Sequence, residues 1–221
     1  IGPTKIKNVA DMKGSGIDIE LNSKNLENQH FHWNTRLNLS TIRDQITDYH
    51  LSNLQGSNFI STVSLARISG VVGKPVYGMY SYRWGGLDPE TGQAQGYLNG
   101  ELSKDYAKLV GTGTQLDDLV YHGSANPRVY GSLGNSFTYR GFSLDVALLF
   151  KFGYYFRRPS INYQQLFSNW TGHEDYAARW QQPGDEATTD VPALLYPTTS
   201  NANNFYAGSE VLVEKGDHIR L

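Results

Sequence analysis

Residues 142–156, FSLDVALLFKFGYYF, alternate in hydropathy with a period of two. Phe142, Leu144, Val146, Leu148, Phe150, Phe152, Tyr154 and Phe156 share one face. Ser143, Asp145, Ala147, Leu149, Lys151, Gly153 and Tyr155 share the other, and only Leu149 and Tyr155 blur the contrast. No helix sustains that division, so the pattern predicts a β-strand. At ~3.4 Å per residue the strand would run roughly 50 Å, against ~17–20 Å in ordinary globular domains. Such a length suits a strand that crosses a bilayer at a tilt. Rings gather at both ends of the stripe, Tyr139 and Phe142 at one and Tyr154, Tyr155 and Phe156 at the other. Aliphatic residues fill the middle, as expected between two lipid–water boundaries. A strand of a soluble sandwich also alternates, because one buried face imposes the same pattern. Alternation leaves both readings open; length and the aromatic ends favour the membrane.

Three further segments repeat the pattern. Residues 16–22 set Ile17, Ile19 and Leu21 against Asp18, Glu20 and Asn22. Residues 31–40 set Phe31, Trp33, Thr35, Leu37 and Leu39 against His32, Asn34, Arg36, Asn38 and Ser40, with an extension expected toward Thr47. Residues 129–139 set Leu133, Phe137 and Tyr139 against Ser132, Ser136 and Thr138. There Asn135 interrupts the apolar face, and Gly131 and Gly134 weaken the strand. The links are short at 23–30 and 140–141 and long at 48–126 and 157–209. Outer-membrane barrels show this asymmetry, with tight periplasmic turns and extended extracellular loops. On that reading the strands starting at Gly16 and Val129 run inward and those starting at Phe31 and Phe142 run outward. In a compact soluble domain, links this long would count against the strands.

Composition removes several alternatives. A formal net charge of −2 across 221 residues gives no basic footprint for nucleic acid. The absence of cysteine excludes a disulfide framework and a thiolate metal site. No run approaches the ~18 apolar residues of a spanning helix, and Ile1-Gly2-Pro3-Thr4-Lys5 has no leader pattern. A mean hydropathy of −0.47 does not argue against a barrel, whose strands hide half their side chains from lipid.

The long links are rich in Gly, Asn, Ser and Tyr. Asp88-Pro89-Glu90-Thr91-Gly92 reads as a tight turn, since it lacks the alternating ligands and distal Glu of a calcium loop. Ser160 is expected to cap a short helix, and Tyr176, Arg179 and Trp180 predict a second helical turn ended by Pro183-Gly184. No GxSxG, Walker loop or HExxH occurs, and Gly111-Thr112-Gly113-Thr114 lacks the Gly and Lys of a phosphate loop. His30 and His32 share a strand face without a third ligand nearby, so no metal is expected. Asp18 and Glu20 fit a polar barrel wall better than an acid–base pair.

Several strings, in order, resemble the SusC/RagA class of TonB-dependent receptors. Asn8-Val9-Ala10-Asp11-Met12 through Leu21-Asn22 is similar to that family's NxGxxxNxGIExxLN segment, with Lys13-Gly14-Ser15 where Asn is common, and Phe31-His32-Trp33 continues it. Gly85-Gly86-Leu87-Asp88-Pro89-Glu90-Thr91-Gly92 followed by Gly96-Tyr97-Leu98-Asn99-Gly100 resembles a characteristic loop. Phe137-Thr138-Tyr139-Arg140-Gly141-Phe142-Ser143-Leu144 resembles a characteristic hairpin. Tyr154-Tyr155-Phe156-Arg157-Arg158-Pro159, Arg179-Trp180-Gln181-Gln182-Pro183-Gly184-Asp185-Glu186 and Gly216-Asp217-His218-Ile219-Arg220-Leu221 complete the set.

The resemblance implies an all-β fold in which antiparallel strands form part of a large, 22-strand transmembrane barrel with long extracellular loops. Residues 1–221 would supply about four complete strands and two such loops, without the plug domain or the C-terminal strand. It also implies the outer membrane of a Gram-negative cell, lipid contact, a SusD-like surface lipoprotein, TonB acting through the plug, and import of an oligosaccharide or peptide. No catalysis and no cofactor are implied. By alternation, Asp18, Glu20, Arg36, Asp145 and Lys151 would face the lumen, where opposite charges would pair across strands. Among loop aromatics, Trp84, Tyr97, Tyr163, Trp170 and Trp180 are the candidates for substrate contact, because flat rings cover sugar or peptide faces while polar edges stay wet. Packing of these rings against one another or against the lipoprotein is the alternative. Two other classes compete: a secreted or surface β-sandwich that binds carbohydrate, and a glycoside hydrolase, which needs two carboxylates ~5–9.5 Å apart.

Overall fold

A computed structural model describes residues 8–50, 55–60 and 68–221. The N-terminal segment read as lacking a leader pattern lies outside the described residues. Among the described residues twelve strands follow in order: β1 (Ala10–Glu27), β2 (Phe31–Tyr49), β3 (Gly78–Tyr82), β4 (Trp84–Leu87), β5 (Ala94–Leu98), β6 (Glu101–Ser103), β7 (Leu119–Ser124), β8 (Val129–Tyr139), β9 (Phe142–Phe152), β10 (Tyr155–Arg157), β11 (Val213–Lys215) and β12 (His218–Arg220). Three short helices, α1 (Tyr106–Leu109), α2 (Tyr163–Asn169) and α3 (Ser200–Gly208), sit in the long links. The fold is all-β and antiparallel, and the main sheet runs β1-β2-β8-β9-β12.

The two hairpins of that sheet turn at the same end. Phe31 pairs with Tyr139, and Tyr139 with Phe142. Arg140 and Gly141, both at positive φ (45° and 89°), make a two-residue turn whose twist matches the strands it joins. Both long excursions leave from the opposite end. Short turns and long loops are therefore segregated as their lengths predict.

Three strand boundaries differ from the sequence reading. β1 is longer at both ends, because backbone pairing continues through polar rows that carry no hydrophobic period, and β2 extends as expected beyond Thr47, to Tyr49. The 142–156 stripe is not one strand. Gly153 adopts φ 77° and donates its N–H to Asp217 Oδ1 at 2.6 Å, so β9 ends at Phe152. Tyr155 to Arg157 then pair with β11 instead, and Tyr154 and Phe156 leave the apolar face of the sheet. Eleven residues remain in β9. At ~3.4 Å each and a tilt of ~40°, they still cross roughly 25–30 Å.

The long links build a second body on the loop end. Phe59, Tyr80, Tyr82, Leu87, Leu109 and Leu119 from the first link pack with Trp180 and Phe205 from the second. A smaller cluster joins Ile161, Tyr163, Val191, Tyr206 and Leu212. Phe205, fully buried, stacks on Tyr82 with ring centroids 5.6 Å apart. Asn162, not Ser160, caps α2, accepting from the Gln165 N–H at 3.1 Å; the Ser160 hydroxyl instead donates to Asp175. The second helical turn forms only as a 3-10 turn over Glu174–Ala178; Arg179 is already extended, so the turn ends before Trp180 and well before Pro183-Gly184. The turn read at 88–92 forms, and the Asp88 side chain, rather than Pro89 alone, sets it by accepting from the N–H groups of Glu90 and Thr91 at 2.9 Å each.

Candidate functional site

Residues paired across a β-ladder share a face, so the register sorts every side chain of the main sheet. On one face Ile17 pairs with Thr41, Ile19 with Leu39 and Leu21 with Leu37. Leu37 then pairs with Leu133, Leu133 with Leu148, and Trp33 with Phe137, which pairs with Leu144. Ile219 adds to the row beside Phe150. The result is one apolar face continuous over four full strands. Nothing in the described residues covers it: Phe142 is 81% exposed, Ile17 63% and Leu144 60%. A sandwich requires a second sheet there, and none is present among the described residues.

Asn135, the polar interruption in this face, is neutralised locally. Its side-chain oxygen accepts from the Trp33 indole N–H at 3.0 Å and from the Thr35 hydroxyl at 2.7 Å. Gly131 has its own reason. A Cβ there would come within 2.0 Å of the Asn38 carbonyl oxygen, and the Phe150 ring lies over the space.

The opposite face is polar and ordered in rows. Asp18, Ser40, Tyr130 and Lys151 form one row; Glu20, Asn38, Ser132 and Leu149 form the next. Asn22, Arg36, Gly134 and Ala147 follow, then Lys24, Asn34, Ser136 and Asp145. This face is concave, with a depression of about 800 Å³ whose walls include Asn22, Lys24, Arg36, Ser136 and Asp145. The five charged residues read as lining one face do share it. The expected ion pairs between them do not form: Arg36 donates to Asn22 at 3.0 Å, and Asn22 donates to Glu20 at 3.1 Å. An amide relay takes the place of direct charge contact, because no basic residue stands directly opposite Asp18 or Glu20.

The loop body holds a cavity of about 250 Å³ between the two long links, walled by Lys104 and Tyr106 from the first and Tyr163, Asn203 and Tyr206 from the second. Burial pushes the Tyr106 and Tyr206 phenols up to about 12 and raises Tyr163 further, so all three are neutral donors. Tyr106 donates to the Ala94 carbonyl at 2.7 Å and Tyr163 to the Pro192 carbonyl at 2.5 Å. Lys104 reaches Asp88 at 2.5 Å and holds that carboxyl down at about 2. Amide, phenol and apolar wall together suit an uncharged, hydrogen-bonding ligand.

The five aromatic candidates divide. Trp180 and Tyr163 are buried, the first donating to Glu186 at 3.1 Å. Their rings serve as core, although Tyr163 also borders the cavity. Trp84 is half-buried, stacked on Phe205 with centroids 6.4 Å apart. Tyr97 is exposed on β5, and Trp170, 90% exposed, follows α2. Phe167, which the sequence did not single out, lies edge-on to the exposed Tyr196 at 5.1 Å.

Two chemical groupings escaped the sequence because strand pairing assembles them. Ser81 Oγ and His122 Nε2 lie 2.7 Å apart. Ser81 is fully buried, and no carboxylate contacts His122 among the described residues, so no nucleophile is presented. Asp11, Asp48 and His50 hold three ligand atoms within 4.8 Å, all on exposed side chains. His30 lies in the first hairpin turn and His32 opposite Thr138. No helix among the described residues is long and apolar enough to cross a membrane.

The chain matches no family model and no curated protein. It does superpose on a solved structure, that of the RagAB peptide transporter, with a TM-score of 0.58 at 21% identity over 97% of its length. The chain spans 22% of the matched chain of that structure. The antiparallel sheet with its loop body is thus a fold shared with a segment of a transporter. That likeness is one of fold.

Proposed function

We propose that this chain is a wall segment of an outer-membrane β-barrel importer of the TonB-dependent SusC/RagA class, in the outer membrane of a Gram-negative cell. One observation carries the reading: an apolar face continuous over four strands, left uncovered, backed by a concave polar face. Lipid covers the first and water the second. Monomeric soluble proteins rarely expose an apolar surface of this extent. The free edges at β1 and β12 would be closed by the remaining strands of a 22-strand barrel, since unpaired backbone is untenable in hydrocarbon.

The two long links would then face outward as one body, and their shared cavity would meet the nutrient, a peptide or oligosaccharide, before it enters the lumen. Asp18, Glu20, Arg36, Asp145 and Lys151 would line the water path, with Tyr97 and Trp170 the accessible aromatic contacts. A SusD-like lipoprotein would cover this surface, and TonB would act through a plug domain. No bond is made or broken, and no cofactor takes part.

Uptake tests the reading. Cells lacking the gene that carries this chain should lose growth on a peptide or glycan as nutrient source and regain it with the intact gene. Unchanged uptake of every peptide and glycan offered, or recovery of the protein in the aqueous fraction, contradicts it.

A further inference from the structure

The outward face changes character just beyond the apolar rows, toward the loop end. Ile17 and Thr41 are the last apolar step on β1 and β2. The next pairs on the same face are Ser15 with Arg43, then Lys13 with Gln45, with no register shift between them. Lys13 and Arg43 are exposed, and neither takes part in an ion pair among the described residues. They border one groove of about 370 Å³, together with Ser15, Gln45 and Arg128. One carboxylate also lines this groove, that of Asp44, and it is engaged by the Val76 N–H, from which it accepts at 2.6 Å.

Two cations stand diagonally in successive rows where the hydrocarbon belt gives way to headgroups; neither is ion-paired among the described residues, and the acidic row on their face, Asp11 with Asp48, follows only beyond Lys13 and a register shift. Building on the barrel reading above, we propose that this groove holds the phosphate of an outer-leaflet glycolipid. Arg43 grips the phosphate through its planar fork and Lys13 adds a point charge, while the acyl chains lie down the face of Ile17, Ile19 and Leu21. A lipid satisfies both halves of this surface at once, the charged groove above and the apolar rows below. A protein partner would have to displace the bilayer to reach them.

The test uses the membrane-extracted protein that carries this chain, titrated in detergent with lipid A, with dephosphorylated lipid A, and with inorganic phosphate, and read by native mass spectrometry. Intact protein should bind lipid A at least about 10-fold more tightly than the dephosphorylated form and should show no retained inorganic phosphate. The double substitution Lys13→Gln, Arg43→Gln should remove that preference, whereas Lys24→Gln, at the short-turn end, should leave it. Equal binding by the double variant overturns the site, as does tight retention of inorganic phosphate alone. Membrane insertion, assayed in parallel by flotation, separates the two claims: insertion without lipid A selectivity sinks the lipid site and spares the barrel, and failure to insert sinks both.

Discussion

The Arg157 guanidinium donates to the Tyr80 carbonyl at 2.6 Å, across 77 residues of chain. Its other terminal nitrogen donates to the Ser209 carbonyl at 3.0 Å. Arg157 is buried and has no carboxylate partner among the described residues, so burial draws its pKa down to about 10, still charged at neutral pH. It is a pin between the two long links, joining β3 of the first to β10 and the end of α3 in the second. Arg157→Met keeps the volume and removes both donors. The loop body should lose on the order of 2–5 kcal/mol, since two buried carbonyls lose charged donors. Limited proteolysis should then cut links that resist it in the native protein, while the sheet stays intact.

His122 gives the loop body a pH dependence of known sign. Burial first, and then the charge of Arg157, depress its pKa from 6.5 to about 4. The folded state therefore binds fewer protons than the unfolded state between those values, so stability is full above about 6.5 and falls as pH drops toward 4. Thermal unfolding of the loops should show this slope, and His122→Gln should flatten it.

Asn135 tests how the apolar face tolerates polarity. Asn135→Ala leaves the Trp33 indole and the Thr35 hydroxyl without their acceptor and should cost ~1–3 kcal/mol in urea unfolding from detergent or bilayer. A gain in stability would mean that the amide is merely tolerated.

Charge placed on the two faces should act very differently. Leu148→Arg puts a cation near the middle of the apolar face and, if lipid covers that face, should cost ~2–4 kcal/mol in bilayers, reducing assembled protein. Ala147→Arg, one residue away on the concave face, should assemble normally. Heat-modifiable migration on gels reads both.

What was legible in the sequence follows from what periodicity can see. β8 was bounded correctly at 129–139 because the alternation and the adjacent turn agree. The periodicity runs past the true end of β9 because Gly153 falls on the polar side of the stripe, where its positive φ leaves no mark on the hydrophobic period. β1 starts before the period does, because the Ser15–Arg43 and Lys13–Gln45 rows pair like any others but carry no apolar signal, whereas the expected extension of β2 toward Thr47 is present and reaches Tyr49. Loop aromatics could not be sorted by type. Trp180 is buried because a ring of that size fills the space over Gly92 and beside Ala193, a contact between links 88 residues apart. Trp170, the same residue type, is left in solvent. The Ser81–His122 pair and the Asp11–Asp48–His50 group exist only through register, which one sequence does not display.

The central claim is that lipid covers the face of Leu144, Val146, Leu148 and Phe150. Residues 1–221 contain no cysteine, so single cysteines at residues 143–150 can be labelled in intact membranes with a water-soluble maleimide and read against the unsubstituted protein. Labelling should alternate, strong at Ser143, Asp145, Ala147 and Leu149 and absent at the four apolar positions. Equal labelling of both sets, or the inverted pattern, would contradict it.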